Sequence, residues 1–322
     1  MQGKEPPTNS ATRVYVGIDV CKARLDVYIH PVGQRLTLAN NPDGLKLLKR
    51  ALATYDVALA VMEATGKFHR HAHRSLHASG FAVAIVNPLR SRLFAEAVGA
   101  LAKTDGADAR MLAIMGESLN PGAVAPPSDL VESLQELVRG RAAAIAARTA
   151  ILNQLGAIKT TRLATELKRQ LRAVDTAIAN LDIEINRLIA SDPVLARRLV
   201  ILTSIPGVGP VAAIALIAGL AEIGAVSAKQ AAMIVGLAPI ACDSGERAGA
   251  RHIRGGRPHL RAARYMAALA AARFNPTLKT FYDRLIADGK KAKVALTAVM
   301  RKLVVLANTL VRENRSWKKN HA

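Results

Sequence analysis

Cysteine is nearly absent from this chain of 322 residues, which has only Cys21 and Cys242. Two thiols so far apart make no disulfide framework, which excludes a small disulfide-stapled domain and suits a reducing cytoplasm. Aromatic residues are also scarce, at 3% against 51% hydrophobic residues in all. The apolar content is mainly Ala, Leu, Val and Ile, and that favours helix packing over a β-sandwich. Long hydrophobic runs are missing too. The longest, Val211 to Ala221, contains Gly219 and is too short to span a bilayer, so no membrane partner is expected. The stretch Met1 to Arg13 is polar and proline-containing, without the apolar centre of a signal peptide.

Acids are few beside the bases: 24 Asp and Glu face 45 Lys and Arg, a net charge of +21. The surplus is +5 over residues 1–128, +2 over 129–190 and +14 over 191–322. A basic surface gathered in the C-terminal part implies a polyanionic partner, and nucleic acid fits better than a membrane because no lipid-facing segment is present. The length allows two or three domains with a sizeable core.

Four of those scarce acids stand in positions that matter. Val14-Tyr15-Val16-Gly17-Ile18-Asp19-Val20 reads as a buried strand, and an aspartate near its end is costly to bury without a partner. Taken alone, Asp19 would cap a turn or meet an arginine. Glu63, however, ends a second apolar run, Val57 to Met62, and Asp105 and Asp108 stand three apart at a helix start. Two strand-end carboxylates and an i,i+3 pair can converge, and converged carboxylates repel unless a hard cation, Mg²⁺ or Mn²⁺, sits among them. Two such ions about 4 Å apart would clamp the attacking and leaving oxygens of a phosphodiester.

The surrounding pattern supports this centre. Leu25–His30 and Arg35–Ala39 alternate like strands and complete an antiparallel meander. Asn41-Pro42-Asp43-Gly44 opens a helix reaching about Leu52, followed by the Val57–Met62 strand, a helix over Thr65–Ala78, a strand over Phe81–Val86 and a helix after Pro88. The order βββαβαβα is that of a ribonuclease-H-like domain, which brings carboxylates to the ends of its central strands. His69, His73 and His77 recur every fourth residue, with His71 beside them. No third ligand type is near enough to make zinc the better reading, so they are expected to form a solvated or nucleic-acid-facing stripe with Arg70 and Arg74.

Asn120-Pro121-Gly122 and Pro126-Pro127-Ser128 mark a linker, with Ser128 or Asp129 capping a long helix. Its apolar positions, from Leu130 to Ile158, keep a 4–3 rhythm interrupted by Arg141 and Arg148. After a turn near Gly156–Thr161 the rhythm is unbroken through Leu167, Leu171, Val174, Ile178, Leu181, Ile185 and Leu188, as in a coiled-coil seam. The seam admits a dimerisation arm or a helical hairpin within one chain.

Beyond Asp192-Pro193, Leu199–Ser204, Ile205-Pro206-Gly207-Val208-Gly209-Pro210 and Val211–Leu220 read as helix, tight hairpin, helix. Gly207 and Gly209 would let backbone amides approach a phosphate, aided by the dipole of the second helix. A glycine-rich turn between two core helices would look the same. Next, Cys242-Asp243-Ser244-Gly245 precedes Arg247, Arg251, Arg254, Arg257, Arg261 and Arg264. Such arginines can hold phosphates and stabilise a pentavalent transition state. Ser244 by itself is an ordinary turn serine, with Cys242 and Tyr265 as rival nucleophiles. The H-x-x-R spacing of tyrosine recombinases is absent, since His259 and Arg261 are only two apart. The tail from Thr280 reads helical and basic, with Lys290, Lys291 and Lys293 as a phosphate-facing patch.

Gly17-Ile18-Asp19-Val20, Glu63-Ala64-Thr65-Gly66, Val86-Asn87-Pro88, Lys103-Thr104-Asp105 with Asp108-Ala109, Ile205-Pro206-Gly207-Val208-Gly209, Gly236-Leu237-Ala238-Pro239 and Ser244-Gly245 occur in that order. Each is weak alone, but their order and spacing over nearly the whole chain resemble the IS110 family of insertion-sequence transposases. The resemblance implies a RuvC-like domain over 13–120 with a DEDD metal site at Asp19, Glu63, Asp105 and Asp108. It further implies coiled-coil helices over 128–190 and a helical transposase domain over 191–322, with Ser244 as nucleophile and residues 1–12 as a flexible N-terminus. The class expected is thus α/β followed by all-α. The implied partners are donor and target DNA, a structured non-coding guide RNA and further copies of the chain, as dimer or tetramer, at the bacterial nucleoid. Ala225-Val226 replaces an aromatic common in the family, a departure that touches packing more than chemistry. Two other readings stay open: a Holliday-junction-type nuclease using the four acids and water, and a non-catalytic DNA- or RNA-binding protein.

Overall fold

Arg13–Val20 (β1) alternates buried Val14, Val16, Ile18 and Val20 with Tyr15, Gly17 and Asp19, so its two faces serve different neighbours. Arg24–His30 (β2) and Gln34–Ala39 (β3) follow as an antiparallel meander. After helix Pro42–Leu52 (α1), strand Asp56–Glu63 (β4) pairs parallel with β1. Helix His69–Ala78 (α2) leads to Val83–Val86 (β5), parallel to β4. The sheet order is therefore β3-β2-β1-β4-β5. The computed structural model describes residues 13–64, 66–99, 105–243, 245, 249 and 251–318, in two compact units, Met1–Pro126 and Pro127–Ala322.

One face of the sheet packs Val14, Val16 and Ile18 against Leu45, Leu48 and Leu52 of α1 and Ala72 and Leu76 of α2. The other face sets Leu59, Val61 and Tyr15 against Leu112 and Met115 of Asp105–Leu119 (α4), with Phe94 of Pro88–Ala97 (α3) packed alongside. Coverage on both faces is why β4 reads as a continuous apolar run rather than an alternating one. Asparagine-proline pairs start two of these helices. Asn41 accepts from Gly44 N at 2.9 Å and Asn87 from Leu89 N at 2.8 Å, each followed by a proline whose missing N–H costs nothing there.

Two expectations change in this unit. The second helix begins at His69 rather than Thr65. The histidines also do not share one solvated stripe. His71 and His77 are exposed, but His73 is buried, and its Nε2 donates to the Val124 carbonyl at 2.7 Å. Val124 N in turn donates to Val83 O at 2.8 Å. His73 therefore fastens the segment that leaves α4 onto the edge of the sheet. It is drawn inward because it adjoins Ala72 and lies three residues before Leu76, on the face that α2 turns to the sheet.

In the second unit, Asp129–Ala157 (α5), capped by Ser128, and Thr161–Ala190 (α6) lie along one another. The arginines that interrupt the seam pair across it, Arg141 with Asp182 and Arg148 with Asp175 at 2.7 Å. The first pair member advances by seven as the second retreats by seven, so the helices form an antiparallel hairpin within the chain. The base of this hairpin supplies Leu134, Ile185 and Ile189 to the core of the unit.

That core is built on Pro193–Thr203 (α7), Pro210–Gly219 (α8), Ala228–Val235 (α9), Pro258–Phe274 (α10), Pro276–Ala287 (α11) and Ala292–Arg312 (α12). A short ladder of Pro239–Ile240 (β6) and His252–Ile253 (β7) stands between α9 and α10. Among the described residues α12 alone is long and apolar enough to cross a membrane. Its Leu296, Val299, Leu303, Val304, Ala307 and Leu310 are buried in the core, so burial accounts for its composition. Asn308, buried on the same helix, accepts from Gly224 N and donates to Val226 O, both at 2.8 Å. The Gly224–Val226 turn is thus held by its backbone.

Candidate active site

The contact that organises the N-terminal unit is between a glycine and a helix. A Cβ on Gly17 would collide with Ala109 O and lie 2.5 Å from Ala113 N, so α4 presses directly on the backbone of β1. One on Gly116 would lie 3.0 Å from Val61 Cγ2 and 3.6 Å from the Tyr15 ring. As α4 proceeds from Ala109 to Gly116, it therefore moves back along β1 from Gly17 to Tyr15. Its first turn must then lie toward the C-terminal end of β1.

Side-chain alternation completes the argument. Asp19 is two residues beyond Gly17, and Glu63 two beyond Val61, so both carboxylates are on the α4 face of the sheet. The parallel register runs up to Ile18 opposite Met62, which sets Asp19 and Glu63 at the same end of adjacent strands. Asp108 directly precedes Ala109, and Asp105 is the first residue of α4. A helix N-terminus facing carboxylates is electrostatically favourable. The fold thus brings Asp19, Glu63 and the start of α4 together; the side chain of Asp105 lies outside the described residues, and among those described no three acids, histidines or cysteines are grouped as a metal cage. An all-oxygen donor set of this kind fits a hard divalent cation.

Two residues not singled out in the sequence join the site. Ser91, buried on α3, donates to Glu63 Oε1 at 2.5 Å, with the Pro88 carbonyl 3.0 Å away as a second acceptor. The Asn87-Pro88 cap is what starts α3 close enough to deliver it. Asp26 stands opposite Asp19 in the β1–β2 register, hence on the same face. Its carboxylate takes Arg24 Nε at 2.7 Å and the Thr37 hydroxyl at 3.0 Å, so its charge is compensated locally. Only the i,i+2 spacing of Arg24 and Asp26 hinted at it.

In the second unit, Ser244 and Arg247 lie outside the described residues, as do the side chains of Arg261 and Arg264. Strands β6 and β7, which precede and follow Ser244 in the sequence, pair antiparallel. Asp243 accepts from Gly249 N at 3.0 Å, and Gly249 packs so closely on the Cys242 carbonyl that a Cβ would collide with its oxygen. Asp243 is therefore committed to closing the loop, while Cys242 is exposed. Tyr265 sits on α10, partly exposed.

The proposed phosphate ligands divide. Arg251 and Arg254 are exposed, as are Lys290, Lys291 and Lys293 where α11 gives way to α12. Arg257 instead braces the interior of the unit. Its guanidinium makes two bonds to Glu222, at 2.7 and 3.0 Å, and one to Gly219 O at 2.6 Å, at the end of α8. Burial works to raise the Glu222 pKa, but the hydrogen bonds and charge of Arg257 outweigh it and hold the carboxyl below its usual range. Gly207, with φ +96°, packs against α10, where a Cβ would meet Ala271 Cα at 2.5 Å. Its small size is thus required by helix packing, whereas among the described residues nothing crowds Gly209 at the N-terminus of α8.

Comparison with known proteins identifies relatives of the chain. Residues 16–161 match the family model DEDD_Tnp_IS110, described as a transposase. Residues 199–283 match the model of the transposase IS116/IS110/IS902 family. A pilin gene-inverting protein of Moraxella bovis is 30% identical over 326 aligned positions, covering 96% of this chain and 98% of that one. A 43.6 kDa protein of insertion element IS110 from Streptomyces coelicolor is 31% identical over 149 residues, 46% of this chain and 36% of its own length. A 42 kDa protein of IS900 from Mycobacterium paratuberculosis is 32% identical over 165, covering 50% and 39%.

Proposed function

The chain belongs to the IS110 family of transposases and is a DNA recombinase, and on that premise we propose a two-part active site. Asp19, Glu63, Asp105 and Asp108 hold a divalent cation, Mg²⁺ or Mn²⁺, and Ser244 is the nucleophile. The observation that supports the first part is the approach of α4 to Gly17, which sets the first turn of that helix toward the end of β1 that carries Asp19. A bound cation would neutralise charge at the reacting phosphorus.

Ser244 Oγ forms a bond to phosphorus as the bond to the departing strand oxygen breaks. The proton lost by the serine ends on the departing strand's hydroxyl, and the ester keeps the energy of the phosphodiester for rejoining. Asp243, holding Gly249 N, stabilises the loop rather than serving as the base. Rejoining in a new arrangement moves or inverts a DNA segment, in keeping with the inverting relative.

Exposed Arg251 and Arg254, together with Lys290, Lys291 and Lys293 and with Arg247, Arg261 and Arg264, hold phosphates of DNA and of a structured guide RNA. The α7–α8 pair acts as a helix-hairpin-helix through its uncrowded Gly209 end. The α5–α6 hairpin pairs with further copies as a coiled-coil arm in a dimer or tetramer, supported by partly exposed Ile145, Leu152, Leu163 and Ile183. Chromosomal DNA as substrate assigns it to the cytoplasm, at the nucleoid.

The test is a covalent adduct between protein and DNA. It should form with wild type in the presence of divalent cation, vanish with Ser244→Ala, and persist with Cys242→Ser and Tyr265→Phe. An adduct made by the Ser244→Ala protein would transfer the nucleophile elsewhere; cleavage without any adduct would favour the four acids acting with water.

A further inference from the structure

We propose that the groove between α9, α11 and α12 holds one unpaired nucleotide of a DNA strand. The groove, about 720 Å³ in volume, is of small-ligand size. Among the described residues that line it, five are Lys or Arg and none is acidic, so an anion is the complement.

Its wall is built rather than incidental. Trp317, the only tryptophan in the chain, lines it from the segment that follows α12. That segment is fastened by Trp317 N donating to Ser204 Oγ at 2.8 Å, by Arg315 N donating to Leu310 O at 3.1 Å, and by Arg197 gripping Asn314. The backbone that carries the indole is therefore held in place before any ligand arrives. Lys302 Nζ stands 4.2 Å from the centre of the Phe281 ring, a cation–π contact that holds the ammonium at the rim and leaves its charge in place. Arg301 and Arg315 also line the groove, the latter paired with Glu313 at 2.5 Å. Asn275, also in the wall, is 1% exposed; its Oδ1 caps α11 by accepting from Leu278 N, and its Nδ2 meets no acceptor among the described residues.

A nucleotide offers a flat π-face to the part of the indole that the core leaves uncovered, and phosphate to the cations. A duplex hides its base faces, so the nucleotide must be unpaired. An acidic peptide would answer the cations but offer no flat face to the indole. The inference rests on the DNA-recombinase assignment only for the identity of the strand. Such a base becomes available when strands open for exchange.

Trp317 is its own probe. Full-length protein would be titrated with a single-stranded DNA oligonucleotide and with a duplex of equal length, following tryptophan fluorescence together with the anisotropy of labelled DNA. The single strand should quench the tryptophan saturably, whereas the duplex should bind with little quenching. Lys302→Gln and Arg301→Gln should weaken the single strand about tenfold and the duplex less than twofold.

Equal quenching by duplex, or single-strand binding seen by anisotropy without quenching, would overturn the proposal. So would equal weakening of both DNA forms by Lys302→Gln. A single-stranded RNA quenching tenfold more tightly than DNA would overturn the choice of strand. Retained quenching in a Ser244→Ala or Asp19→Ala protein supports the groove even if the proposed chemistry fails.

Discussion

Ser91 Oγ stands 2.5 Å from Glu63 Oε1, a buried hydroxyl on α3 fixing the carboxylate that ends β4. A side chain that orients a metal-holding carboxylate contributes about 10- to 100-fold to affinity or activity when removed. Ser91→Ala should lower recombination by about that factor and raise the Mg²⁺ concentration needed for half-maximal rate. DNA affinity measured in chelator should not change. An unaltered Mg²⁺ dependence would show that the hydroxyl serves packing alone.

Gly17→Ala should be more damaging than Gly116→Ala, although both remove a glycine from the α4–sheet contact. At Gly17 the new methyl meets backbone, which cannot yield without shifting α4; at Gly116 it meets the end of a valine side chain. Overpacking of the first kind costs about 1–3 kcal/mol or more. Thermal melting should show the larger loss at Gly17, together with loss of recombination, because Asp108 moves with the helix. Equal melting temperatures for the two variants would contradict this geometry.

The pair between Glu222 and Arg257 predicts an acid-side instability. The folded pKa of Glu222 is held below its ordinary 4.5, so its contribution is complete above that value and is lost as pH falls through the folded value. Glu222→Gln should destabilise the protein by about 1 kcal/mol at neutral pH, a charge-assisted bond discounted for partial exposure. The gap between variant and wild type should narrow as pH falls below about 4.5. A constant gap down to strong acid would mean that the charge is not the cause.

A C-terminal nucleic-acid-binding fragment should be cut at Pro127 and not at Asp192. Cutting at 192 removes Leu134, Ile185 and Ile189 from the core of the unit. The 127–322 fragment should fold cooperatively and bind DNA with an affinity that falls steeply with salt, because Lys and Arg release counterions. Cooperative unfolding of a 192–322 fragment with the same stability would refute the assignment of the hairpin base to this core.

Asp19→Ala and Ser244→Ala proteins should each be inactive in recombination while retaining DNA binding. Mixed together, they should recover part of the activity if the acids of one copy serve the serine of another. No recovery, with mixed oligomers demonstrated, would place both parts of the active site in one copy.

The sequence alone determined the order of the elements in the N-terminal unit and the periodicity of their buried faces, because strand alternation and helix capping are written in neighbouring residues. It also marked Asp19 and Glu63, as acids closing apolar runs, and Asp105 and Asp108, as a pair three apart at a helix start. Tertiary structure decided what distant residues do to one another. Ser91 is an unremarkable serine until α3 places it on Glu63, and Arg257 looks like its neighbouring arginines until Glu222 takes it, 35 residues away. Gly207 reads like a phosphate-binding glycine and serves to admit α10. His73, on a helix that reads as a charged stripe, is an internal fastening for Val124. Arg141 and Arg148 interrupt a seam that their partners on α6 complete. Each of these depends on which surfaces are brought into contact, and a local pattern carries no information about the partner that removes a polar group from water.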